Sequence, residues 1–141
     1  MGQINTKRVI LGGLLAGLIM NIVDAVTNGV VLGARWKAET EALNPGLMAK
    51  AAVSSTAGWV AVDFLLGILL LWVYAAIRPG FGPGPRTAIT AALAVWLASH
   101  LFYSSYIFMG LYSDILICAS SVGGLLAILL GALAGARVYQ E

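Results

Sequence analysis

Residues 57–77 read AGWVAVDFLLGILLLWVYAAI, 21 consecutive positions that carry one charged side chain, Asp63. A bilayer's hydrocarbon core is about 30 Å thick and a helix rises about 1.5 Å per residue, so roughly 20 such residues cross it. The run predicts a transmembrane helix. Three further runs of the same kind, at residues 9–32, 87–109 and 115–136, complete the pattern. The chain is therefore expected to be an all-α membrane protein, a single domain over residues 1–141, with four transmembrane helices in an antiparallel bundle.

Composition agrees. The chain is 60% hydrophobic and 10% charged, where soluble domains sit near 45–50% and about 25%. Net charge is +2 and the basic residues flank apolar runs without forming a patch, which excludes a nucleic-acid partner. The single cysteine, Cys118, rules out a disulfide framework or a thiolate metal cluster within one chain and reads as a small buried hydrophobe. No cofactor is called for.

The N-terminus mimics two processing signals. Lys7 and Arg8 ahead of an apolar run resemble a secretory leader. The opening Met1-Gly2-Gln3-Ile4-Asn5-Thr6 fits a myristoylation pattern. Neither is expected to operate, and the run is taken as the first span.

The punctuation supports the division. Pro45, Pro79, Pro83 and Pro85 are all placed between spans, leaving helices unkinked. Ser54, Ser55 and Thr56 offer caps for the second helix, and Ser113-Asp114 a cap for the fourth. The short connection Gly110-Leu111-Tyr112-Ser113 makes helices three and four antiparallel neighbours. In the longer first connection, Trp36, Thr40 and Leu43 recur at helical spacing, which fits either an interfacial amphipathic helix or a solvated loop. The Gly/Pro-rich turn at 80–85 lacks the Lys-Ser/Thr ending of a phosphate loop. Lys7, Arg8, Arg78, Arg86 and Arg137 fall on one side and Arg35, Lys37 and Lys50 on the other, which places both termini in the cytoplasm.

Lipid tails are as apolar as leucine, so helices in a bilayer associate through close packing of small residues. Gly13 and Gly17 mark such a face on the first helix. Gly124, Gly131 and Gly135, with Ala127, draw a groove along the fourth. The groove takes either a helix of the same chain or one of a partner.

Chemistry is expected from depth. Asp24, Asp63 and His100 all fall roughly 10–15 Å below the outer surface, counted at about 1.5 Å per residue. Ser120 and Ser121 sit at a comparable level. Asn21, Asp24 and Asn28, at spacings of three and four, should form one stripe, and His100 should share a face with Tyr103, Ser104 and Trp96. Lipid would leave these atoms unpaired, so the stripes should turn inward. Three readings follow: a hydrogen-bonded network that fixes helix register, a proton relay or ion site, and a metal site made by Asp24, Asp63 and His100. One histidine and no triad or Glu-x-x-His pattern argue against an enzyme acting on lipid.

The Arg8-Val9-Ile10-Leu11-Gly12-Gly13 opening, the 21–29 stretch ending Thr27-Asn28-Gly29, and the Trp72-Val73-Tyr74-Ala75-Ala76-Ile77-Arg78-Pro79 run into Phe81-Gly82-Pro83-Gly84-Pro85 resemble small four-helix bacterial membrane proteins of unknown function. The resemblance implies the four-helix fold and a bacterial inner membrane, and supplies no activity. The resulting expectation is a non-enzymatic accessory or packing subunit of an oligomer or larger complex. It would meet membrane lipids and either further copies or other membrane subunits. The alternative is a small proton- or ion-coupled carrier that uses the polar layer.

Overall fold

The computed structural model describes residues 4–139, and for residues 51–54 the backbone alone. Met1 and Gly2, on which the myristoylation pattern rests, lie outside the described residues. Among those described the chain is helical, with no strand. Helix α1 spans Thr6–Asp24 and continues as a π-helix over Ala25–Val31. Then come α2 (Gly33–Leu43), α3 (Leu47–Phe81), α4 (Pro85–Tyr103), the single turn α5 (Ser105–Phe108) and α6 (Asp114–Val138). Four stretches are long and apolar enough to cross a membrane: Thr6–Val31, Ser55–Phe81, Pro85–Phe108 and Asp114–Val138.

Each boundary has a local cause. Asn5 caps α1, its side-chain oxygen accepting from the Arg8 N–H at 3.1 Å. Pro85 opens α4 at a position whose N–H is unused anyway. Ser113 caps α6 as expected, accepting from the Leu116 N–H at 3.3 Å. Two expectations need correction. The first connection is helical, so α3 begins at Leu47 after a left-handed Gly46 and holds Ser54, Ser55 and Thr56 within it, not at its cap. Pro79 also lies inside α3, in its last turn. A proline that near the C-terminal end removes one helical hydrogen bond, and the helix closes two residues later.

Helix α1 is the centre of the arrangement, packed between α3 and α6, with α4 laid on α6. Glycine makes that possible. A Cβ added at Gly13 would lie 2.5 Å from Ile68 Cα, and one at Gly17 2.7 Å from Phe64 Cα. Gly67 fills the facing position, pressed on the backbone of both Gly13 and Gly17. On the other flank Gly12 and Gly135 touch each other's carbonyls, and Gly131 faces the Ala16 carbonyl. Along both seams the partner's numbers fall as those of α1 rise. The groove on α6 is thus occupied by α1 and, at Gly124, by the His100 ring of α4. The core of Val9, Ala16, Met20, Leu70, Leu71, Ala91 and Ala127 follows these seams.

The outside is as apolar as the inside, with Leu65, Phe102, Phe108 and Val122 among many exposed large hydrophobics, a surface suited to lipid. Cys118, expected inside, is exposed. It shares a stripe with Ile115, Val122 and Leu126, on the side of α6 turned away from α1.

One end of the molecule gathers both chain ends and the 82–84 turn. The Asn5 N–H donates to the Tyr139 hydroxyl at 3.3 Å, the Arg78 guanidinium lies 5.4 Å over the Tyr139 ring, and the Gly84 N–H donates to the Tyr74 hydroxyl at 3.3 Å. The opposite end carries α2, α5 and the 109–113 connection. There Glu39 of α2 accepts from the Ser113 N–H at 2.8 Å and from its hydroxyl at 2.7 Å. These two donors, with Arg35 3.7 Å away, hold the Glu39 carboxyl below the usual range. A carboxylate bound more tightly in the folded state contributes stability above its ordinary range and loses it as pH falls through the lowered value. Relative to the intrinsic exchange rate at each pH, the protection of the Leu116 amide, next to the Ser113 cap, is therefore expected to fall in acid. In Glu39→Gln that protection should be low already at neutral pH and should not change further on acidification.

Candidate functional site

Asp24 is the last α-helical residue of α1, and Asp63 stands on α3 one turn before Gly67. Gly17 packs on the Asp63 carbonyl at 2.9 Å from its would-be Cβ, and the Asp63 and Asp24 carboxyls come within reach of each other across the seam. Asp63 is 7% exposed. Asp24 Oδ1 is shut from solvent, and no amide, hydroxyl or cation among the described residues donates to it. Asn21 extends the contact, its amide donating to the Gly17 carbonyl at 2.9 Å and across to the Val60 carbonyl at 3.3 Å.

Asn28 does not join that stripe. The π-helix shows itself in the Leu32 N–H bond to the Thr27 carbonyl, five residues back, at 2.8 Å. The extra residue per turn rotates the positions after Asp24 away from the α-helical pattern. Asn28 therefore faces α6 and α2 instead of α3. Its Oδ1 accepts from the Ser120 hydroxyl at 2.7 Å and from the Trp36 indole at 3.2 Å, and the Tyr103 hydroxyl donates in turn to Ser120 at 3.2 Å.

His100 is a second departure. Its Nδ1 lies 3.1 Å from the Trp96 carbonyl, which can only accept, so the ring proton sits there. Ser99 Oγ also reaches Nδ1 at 3.1 Å, and Nε2 is turned onto Gly124. The imidazole is thus committed to its own helix and to α6. It makes no hydrogen bond to either carboxyl. Of the three residues expected to meet, two do. No three of His, Cys, Asp or Glu among the described residues group to hold a metal ion, and Asp24, Asp63 and His100 do not form such a group. Ser104 bonds back to the Leu101 carbonyl at 2.7 Å, and Ser121 contributes its carbonyl to the Trp96 indole at 3.0 Å, so the hydroxyl of the layer is that of Ser120.

A run of rings went unread in the sequence. Trp96, His100, Tyr103, Tyr106, Tyr112 and Trp36 follow one another with centroid spacings of 5.3, 5.7, 5.4, 6.1 and 5.0 Å. The first three were readable as one helical face. The rest come together only because α4 breaks at Ser104 and α2 folds back, bringing Trp36 and Thr40 onto Tyr112. Below the break an open hollow of about 380 Å³ is lined by Ser99, Phe102, Tyr103, Ser105 and Tyr106.

Chemically, the site is a carboxyl pair inside a span. Two carboxylates offer acceptors only, so a hydrogen bond between them needs a proton that the pair shares. The hydroxyls of Tyr103 and Ser120 can pass a proton, whereas the Asn28 amide oxygen that ends their chain only accepts. No family model, curated protein or solved structure matches the chain.

Proposed function

We propose that this chain is a non-enzymatic protein of the bacterial inner membrane, an antiparallel bundle with both termini cytoplasmic, that works as a small proton-coupled carrier through Asp24 and Asp63. The observation that carries this reading is the adjacent carboxyl pair, with no cation among the described residues beside it. Ionisable groups are costly inside a membrane and mark proton or ion pathways there. Two neighbouring carboxyls that share a proton release it only at the cost of placing like charges in contact. Such a group binds or gives up one proton per cycle and couples the event to the spacing of the helices that bear it.

Two measurements test the reading. Infrared spectra of the protein in lipid at neutral pH are expected to show the C=O stretch of a protonated carboxyl, lost in both Asp24→Asn and Asp63→Asn. Vesicles holding the wild-type protein and a trapped pH dye should equilibrate several-fold faster than vesicles holding either variant. Equal rates would make the pair a purely structural link.

The orientation rests on charge: five basic residues at the end with the chain termini against Arg35, Lys37 and Lys50 at the other. Reporter fusions after Gly84 and at Glu141 are expected to read cytoplasmic and one at Asn44 external. A cytoplasmic signal at Asn44 would reverse the assignment.

The accessory-subunit reading retains one observation in its favour. Residues 55–62 of α3 are exposed on every side although they belong to a spanning helix. Isolation from native membranes with neighbours attached tests it, a stoichiometric second subunit or second copy being the supporting result.

A further inference from the structure

The two halves of the α1–α3 seam are held by different forces. Towards the chain termini it is backbone on backbone, through Gly13, Gly17 and Gly67. Past Gly17 that contact ends. Over residues 55–62 α3 is exposed on every side; in this half the Asn21 amide donates to the Val60 carbonyl and the Asp24 and Asp63 carboxyls meet. The neighbouring π-helix is anchored elsewhere. Thr27 packs on Gly123 of α6, and Asn28 holds Ser120 of α6 and Trp36 of α2.

One side of the joint is therefore braced by α6 and α2, and the other is tied to α1 by the carboxyl pair and by the Asn21 amide. We propose that the Asp24–Asp63 pair is a proton-operated latch on the segment of α3 that precedes Asp63. The proposal rests on the reading of the pair as a proton site. With the proton present, an O–H···O bond draws the two helices together. Without it, two negative charges stand in contact in a low-dielectric setting, where repulsion is many times stronger than in water. No cation among the described residues lies beside them. Besides the pair itself, α1 brings the amide of Asn21 to this level. From α4 come Tyr103, within electrostatic reach of Asp24, and His100, whose Nδ1 is bound to Trp96. From α6 comes Ser120, with Cys118 exposed and Asp114 at the helix start. From α2 comes Glu39, already paired with Arg35 and Ser113. Rising pH thus opens the latch and falling pH closes it. The opening parts α3 from the π-helix and leaves the backbone seam below it intact.

The test uses the full chain in lipid vesicles, with Cys118→Ser and spin labels on cysteines at Val30 and Trp59, both well exposed. The label-to-label distance is expected to lengthen by several ångström from acid to alkaline pH, in step with loss of the protonated-carboxyl infrared band from the same samples. In Asp63→Asn, and separately in Asp24→Asn, the amide donates to the remaining carboxylate without any proton, so the distance should stay short throughout. A band that titrates while the distance stays fixed overturns the latch and leaves the proton site standing. An absent band in the unsubstituted pair overturns both. A pH-dependent lengthening that persists in either Asn variant also overturns the latch, since the motion then has another source.

Discussion

Gly67→Ala is expected to destabilise the protein sharply. The added methyl group would sit 2.5 Å from the Gly17 amide nitrogen and also against the Gly13 carbonyl, so backbone meets it on two sides and no side chain can swing clear. Overpacking typically costs about 1–3 kcal/mol. Here relief requires moving α1 off α3, which places the loss at or above the top of that range. Gly58→Ala, nine residues earlier on the same helix, is the matched control. A Cβ there meets nothing within 4 Å, and replacing a helical glycine gains about 0.5–1 kcal/mol. Denaturant titration in detergent should therefore move the two midpoints in opposite directions. Equal shifts would mean that the seam does not hold the helices.

The second large effect belongs to the carboxyl pair. Asp63→Ala removes the neighbour of Asp24, whose Oδ1 is already buried without a hydrogen-bond partner among the described residues, and an unsatisfied buried group costs about 1–3 kcal/mol, more when charged. Asp24→Ala should cost a comparable amount. The double variant is expected to lose less than the sum, because contacting residues couple by about 0.5–3 kcal/mol. His100 supplies the comparison. It shares no hydrogen-bond partner with Asp63, so His100→Ala and Asp63→Ala should add to within about 0.5 kcal/mol. Strict additivity for the two aspartates would remove the contact on which the proposed carrier and latch both depend.

Why these particular residues meet was only partly readable beforehand. The four apolar runs, the Ser113 cap and the glycine faces of α1 and α6 follow from length, periodicity and residue size, all of which are local. Counting depth put Asp24 and Asp63 at one level, and they do touch. The same counting put His100 with them. Depth is one coordinate, however, and rotation about the helix axis is another. His100 is rotated onto Gly124, and its ring nitrogen is claimed by the carbonyl four residues back. Asn28 left the expected stripe because the π-helix changes the turn angle, and no residue in AVTNGVV announces that by propensity. Gly67 is a single small residue in a leucine-rich run, and only its partners Gly13 and Gly17, far away in sequence, give it a role. The ring series from Trp96 to Trp36 depends on the break at Ser104 and on the fold-back of α2, both consequences of tertiary packing.

The central place of α1 bears on the order of assembly. Its two seams are with α3, made next among the long helices, and with α6, made last. Until α6 emerges, Gly12 and Ala16 face lipid or solvent with a bare backbone strip, since the covering surface around Gly131 and Gly135 has not been synthesised. Closing that seam joins segments more than a hundred residues apart, and contacts at such separation form slowly. A chain interrupted in the 109–113 connection should consequently accumulate as a protease-sensitive three-helix species. Supplying α6 as a separate peptide should convert it to a resistant form. Quality-control proteases of the membrane would thus find their window in the interval between the first helix and the last.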